Sequence, residues 1–331
     1  MKSRGFLSRL IPTLFSKGAG RGDGRDAASF HGRVAGERRV VGAIPFRWCP
    51  ATDPRGFLMG SPIGEPGRED NELQHGVVLT QGFWLAETPL TQGQWQGLVG
   101  TGLQEQAKKA LADDAVYDLA GDGKLQTVRD YLGMGREDAA RIAGTEDAAR
   151  PIYWVNWRES ADYCVRVTER ERGRGNLPES WKVCLPTEAQ WEWACRAGTT
   201  TATYAGEMEL TGPKNAPVLD GIAWYSGNKD EGKPGPTTVG LKKENAWGLR
   251  DTLGNVWEWC ADWHGPYPSS PAQDPEGPMT GELRVLRGGS RYSKPPICRA
   301  AHRSWGSPGL RNGPQGLRPA IISVGAAGDA Q

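Results

Sequence analysis

Three groups of residues in this 331-residue sequence have types and spacings that could do chemistry. The stretch EPGREDNELQH places Asp70 and Glu72 beside His75, a set suited to proton transfer. Its dense, unpatterned charge reads more simply as an exposed loop. Glu188 and Glu192 stand four apart in LPTEAQWEWACRAG and would share one helix face, a possible metal pair. Capping and surface pairing account for the same spacing. Six cysteines are present, Cys49, Cys164, Cys184, Cys195, Cys260 and Cys298, and none forms a CxxC pair. That excludes a zinc knuckle or a thioredoxin-type site and leaves zero, one or two disulfides open. Four histidines without clustering argue against a zinc hydrolase.

Such residues need elements to hold them. The chain carries 40 Lys+Arg against 39 Asp+Glu, so no basic field recruits nucleic acid. With 46 Gly and 14 Trp, irregular backbone packed around large rings is expected, not long regular helices. Residues 1–36 read as a disordered basic tail, since Arg9 and Pro12 interrupt the only short apolar run. No stretch is long and apolar enough for a transmembrane span. The alternation in RRVVGAIPFRWCP predicts strands over 38–50, and HGVVLTQGFWLAETPLT a strand pair turning at Gln81-Gly82. Thr91 caps a helix that follows, and Thr187 with Gln190 forms a capping box on another. NWRESADYCVRVTERE is an amphipathic helix whose shared face holds Ala161, Cys164, Val165 and Thr168. Residues 101–149 read as an insertion of short helices, and 326–331 as a second tail.

The motifs FLMGSP, ETPLTQGQW, VNWRESADYC, LPTEAQWEWACRAGT, NAWGLRDTLGNVWEWCADW and RVLRGGS occur in this order between residues 57 and 290. On them the chain resembles the formylglycine-generating-enzyme, or sulfatase-modifying-factor, family. The resemblance implies an α+β, loop-rich C-type-lectin-like domain over 37–325. The family's enzymes oxidise a sulfatase cysteine with copper(I) held by two cysteines after the GGS turn. Soft thiolates suit that ion. Here the first cysteine position is Ser293, and Cys298 alone is available for the second. The resemblance therefore points away from an enzyme, and an oxidase of formylglycine type is kept as the rival reading.

Non-catalytic relatives resemble this chain in another respect. Their tail, of the form RGGSWNNNPRNCRSANRNRN, is the variable region of diversity-generating retroelements, in which adenines of Asn codons are randomised. The frame persists here as Arg287, Gly288, Gly289, Ser290, Pro295, Cys298, Arg299, Ala301, Arg303 and Arg318. Tyr, Ser, Ile, His, Gly, Leu and Pro at the intervening positions are reachable from AAC through its adenines. Lys294 and Gln315 are not, and Trp305 also departs. The resemblance implies a contact surface of Arg291, Tyr292, Ser293, Lys294, Ile297, His302, Ser304, Trp305, Gly306, Leu310, Gly313 and Gln315. Aromatic anchors give rigid contact area at low entropy cost. The expected partner is a protein or cell-surface ligand. The family's calcium site implies Ca²⁺ ligation by Asp251, Gly254, Val256 and Glu258. A third reading is a regulatory or structural module in which the insertion docks a partner.

Overall fold

The computed structural model describes residues 30–119, 122–143, 145–229, 232 and 234–324. Strands Arg38–Val41 and Ile44–Cys49 form a hairpin whose two-residue loop, Gly42 and Ala43, has φ of 59° and 64°. Positive φ at both positions matches the twist of the flanking strands. The hairpin leads an antiparallel five-stranded sheet. Phe83–Ala86 lies between Ile44–Cys49 and Ala320–Ser323, and Ala320–Ser323 pairs in turn with the edge strand Trp181–Cys184. The last described strand thus lies inside the sheet, with Ile321 opposite both Trp84 and Val183.

One face of this sheet buries Trp48, Trp84 and Trp181. Each large apolar side chain removed from water contributes about 1.5–3 kcal/mol. The packed unit begins before residue 37. Phe30 is 4% exposed, lies 5.0 Å from the Trp181 ring and accepts a hydrogen bond from Trp84 Nε1 through its carbonyl. The tail reading is corrected for residues 30–36; residues 1–29 and 326–331 lie outside the described residues.

The expected hairpin at Gln81-Gly82 does not form. His75–Val78 pairs with Phe57–Met59 and Ala272–Gln273 in a separate three-stranded sheet. Gly82 carries the chain across to the larger sheet beneath Trp48, where an added Cβ would stand 2.3 Å from the indole.

Three helices are set by their caps. Thr91 and Gln94 box the start of Gln92–Val99, Asn156 and Glu159 that of Trp157–Gly173, and Thr187 and Gln190 that of Glu188–Arg196. Trp157–Gly173 buries Tyr163, Cys164, Val167 and Thr168, whereas Val165, expected on that face, is 52% exposed. The i, i+3, i+4 pattern from Ser160 and Tyr163 decides the face. The insertion contains helices Leu103–Ala112, Val128–Leu132 and Ala139–Ala143, with an unexpected small hairpin of Tyr117–Asp118 and Leu125–Gln126. Its Leu103, Ala107, Leu111 and Val128 join the main core.

A four-stranded sheet carries the C-terminal segment. Arg284–Arg287 lies between Trp257–Trp263 and Arg303–Gly306, and Gln315–Gly316 adds in parallel to Trp257–Trp263. The segment from 288 to 302 is the connection between two neighbouring strands of this sheet. All six cysteines are free thiols, and among the described residues no helix is long and apolar enough to cross a membrane.

Candidate functional site

The C-terminal segment is anchored by arginines that reach back into the fold. Arg303 grips Glu188, with Nε–Oε1 at 2.7 Å and Nη2–Oε2 at 2.9 Å. Arg287 spans Glu188 Oε1 at 3.1 Å and Glu192 Oε2 at 2.5 Å. Arg299 takes Glu65 at 2.6 Å and both oxygens of Glu72 at 2.7 and 2.8 Å. Arg318 takes both oxygens of Glu258. All of these side chains are at most 5% exposed. Two sequence expectations are thereby corrected. Glu188 and Glu192 do not pair on a surface; they are buried ion-pair partners. The loop EPGREDNELQH is not wholly solvated either, since Glu65, Glu72 and His75 are buried while Asp70 remains exposed. Burial opposes ionisation of Glu188, but the charges of Arg303 and Arg287 outweigh it and hold the carboxyl below its usual range.

Between the anchors the backbone makes a tight turn. Gly288 and Gly289 have φ of 93° and 75°. A Cβ on Gly288 would lie 2.7 Å from the Thr252 carbonyl, so glycine is required for contact as well as for conformation. Ser293 closes the turn, its hydroxyl accepting from Ser290 N at 2.9 Å. Cys298 is fully buried, and burial pushes its thiol up to about 12. The hydroxyl of Ser293 and the protonated thiol of Cys298 do not match a two-thiolate copper site.

The expected contact residues separate into an accessible and a buried set. Tyr292 is 48% exposed, Trp305 44%, and Lys294 is exposed. Ile297, Ser304 and Gly313 are half-buried. Arg291, Ser293, His302, Gly306, Leu310 and Gln315 are buried, which corrects their assignment to an outer surface. Each has a structural cause. Arg291 donates to the Gly235 carbonyl, His302 packs on Trp257 at 5.9 Å beside Glu72, and Gly306 sits under Trp259. Leu310 joins the core, and Gln315 Oε1 accepts from Asn312 N.

The accessible residues line two grooves shared with the insertion. The first, of about 1140 Å³, sets Tyr292, Lys294 and Ile297 against Tyr131, Met134 and Ile142. Tyr153 and Trp154 also line it, and Ser293 and Gly313 contribute. The Tyr153 hydroxyl meets Thr145 Oγ1 at 2.6 Å, and burial pushes it up to about 12. The second, of about 770 Å³, sets Ser304, Trp305 and Leu310 against Tyr117 and Leu125. Leu119, Trp257, Asn312 and Pro314 border both. The sequence had the insertion dock a partner only as a third reading and did not join it to the C-terminal segment. The trace of this wall was exposed apolar residues, Tyr131 on a short helix and Leu125 in the small hairpin, which are 42% and 66% exposed.

The calcium set does not fit the residues as placed. Glu258 is taken by Arg318 and by Trp191 Nε1 at 2.7 Å, and the guanidinium would face any cation held there. Asp251 Oδ1 has no partner among the described residues, while Oδ2 accepts from Gly240 N at 2.6 Å. Burial pushes Asp251 up to about 6. Gly254 is held against the Trp224 backbone.

Residues 55–322 match the Sulfatase-modifying factor enzyme 1-like domain. A formylglycine-generating enzyme of Streptomyces coelicolor is 32% identical over 285 residues, covering 79% of this chain and 85% of that protein. One from Mus musculus is 30% identical, covering 73% and 66%. Among solved structures, Treponema denticola variable protein 1 aligns with a TM-score of 0.61 at 24% identity, covering 86% of this chain and 98% of its own. PvdO from Pseudomonas aeruginosa aligns at 0.64 and 22% identity, covering 88% and 99%. At these identities the likeness speaks for the fold.

Proposed function

The chain belongs to the Sulfatase-modifying factor enzyme 1-like family, and from that premise we propose that it is a ligand-binding protein whose C-terminal segment, with the insertion, forms the contact surface. The observation that carries this reading is the division of labour within 287–318. Buried Arg–Glu pairs fix the segment's frame, while Tyr292, Lys294, Ile297, Ser304 and Trp305 face two open grooves. A change of side chain at those positions leaves the anchors' ion pairs untouched. A partner of protein or cell-surface type suits grooves that combine rigid aromatic walls with scattered polar groups. The likeness to a variable protein supports the scaffold for such a role. Diversification by a retroelement is the finer form of this proposal.

Sequencing the 3′ end of the gene and its flanks across many cells tests that form. A near-copy of the segment beside a reverse transcriptase gene, differing at adenines, is the expected result. An invariant 3′ end with no such copy overturns diversification and leaves a binder of fixed specificity.

The rival reading, an oxidase of formylglycine type, has in its favour the identity to enzymes of that name. Against it weigh Ser293 at the first thiol position and the buried, protonated Cys298. A Cu(I) titration under reducing, oxygen-free conditions separates the two. Stoichiometric uptake lost in Cys298→Ala favours the oxidase, and its absence favours binding.

A further inference from the structure

We propose that the first groove takes an extended, apolar segment of a partner protein that carries an acidic side chain. This rests on the binding reading above and specifies the chemistry of the ligand. The groove walls are aliphatic and aromatic: Leu119, Tyr131, Met134 and Ile142 on the insertion face Tyr292 and Ile297 on the C-terminal segment. A groove of about 1140 Å³ exceeds the usual small-molecule pocket and suits several residues of chain.

Charge chooses among apolar occupants. Among the described lining residues the only charged groups are Lys294 and Arg141, both exposed and both cationic. Arg141 has a partial partner in Asp138 at 3.2 Å, whereas Lys294 forms no ion pair among the described residues. Uncharged polar groups, among them the Ser290 and Ser293 hydroxyls and the Asn312 amide, complete the lining. A low-dielectric wall strengthens the pull of a cation at its edge, so a carboxylate there gains more than one at an open surface. The chain's own residues 1–29 are poor occupants by the same criterion, because Lys and Arg outnumber Asp in them.

The test selects random short peptides, displayed on phage, against the full chain and against three variants. Ile297→Glu and Tyr131→Glu put charge on opposite walls of the groove. Lys294→Glu inverts the mouth. Tyr131 is 42% exposed and lies on the insertion, so it serves as the check if Ile297→Glu lowers the melting temperature. Peptides that combine aliphatic or aromatic residues with Asp or Glu are expected to enrich on the unmodified chain. Both wall variants lose them, and Lys294→Glu weakens a representative by roughly tenfold, as expected for reversing a charge opposite a carboxylate. Enriched peptides that are basic or uncharged, yet still need both walls, keep the groove and overturn the acidic assignment. Peptides indifferent to both wall variants overturn this groove as the site while leaving a binding surface elsewhere on the chain, and no enrichment at all overturns the peptide occupant.

Discussion

Replacing Glu258 with Gln separates an ion-pair role from a calcium role at the same side chain. In the fold Glu258 accepts from Arg318 Nε at 2.9 Å and Nη2 at 2.8 Å, and from Trp191 Nε1 at 2.7 Å. Both members of the pair are at most 1% exposed. Gln keeps the shape but removes the charge, leaving the Arg318 cation buried without its counter-ion. Breaking a buried pair on one side costs about 3–5 kcal/mol. Arg318 retains hydrogen bonds to the carbonyls of Ala86 and Arg250, so the lower end applies, about 3 kcal/mol. For a domain of this size each kcal/mol lowers the melting temperature by about 2 °C, which gives a fall of about 6 °C. Differential scanning calorimetry with and without Ca²⁺ reads both roles. The fall is expected in Glu258→Gln, with no response of the unmodified protein to Ca²⁺ or chelator. A Ca²⁺-dependent rise in melting temperature that Glu258→Gln abolishes would refute that expectation.

Other outcomes follow from burial and charge. Burial and the neighbouring Glu188 charge push Asp262 up to about 8. The folded state therefore holds a proton that the unfolded chain has lost above about pH 4, and stability falls as pH rises from about 4 to about 8, by up to about 1.4 kcal/mol per pH unit. Asp262→Asn flattens that slope in denaturant titrations, and an unchanged slope would contradict the assignment. Cys298, fully buried and pushed up to about 12, resists iodoacetamide in the native protein at pH 7.5, where about one thiol in ten thousand or fewer is ionised. Mass spectrometry should find it modified only after unfolding. Tyr292→Ala and Trp305→Ala change stability by less than about 1 kcal/mol, whereas His302→Ala, which empties a buried site against Trp257, costs about 1–3 kcal/mol by urea denaturation.

The parts of the fold that were legible in the sequence are those fixed by neighbours in the chain. Thr91 with Gln94 and Thr187 with Gln190 cap their helices through contacts three residues apart, and each cap appears where the sequence put it. The family's ordered motifs carried the architecture. What stayed hidden depends on separations the sequence does not encode locally. Arg299 meets Glu72 across 227 residues, so a loop dense with charge looked solvated although Arg299 neutralises it in the interior. The strand pair at Gln81-Gly82 failed for a related reason. Both strands form where expected, but each pairs in a different sheet. Within the contact segment, Tyr292 and Trp305 are about half exposed. His302 and Leu310 are buried instead: His302 packs on the Trp257 ring, and Leu310 closes a turn onto the Ser307 carbonyl and joins the core. The opposite wall of the groove lies in the insertion, which no motif marked.

Site-specific photo-crosslinking tests the central claim most directly. A benzophenone amino acid placed at Tyr292, in the mouth of the first groove, is compared with the same group at Val165, which is 52% exposed on the helix Trp157–Gly173. Irradiation in cells that express the protein is expected to give a discrete adduct at Tyr292 and none at Val165. No adduct at Tyr292, or the same adducts at both positions, would contradict a binding surface formed by the C-terminal segment and the insertion.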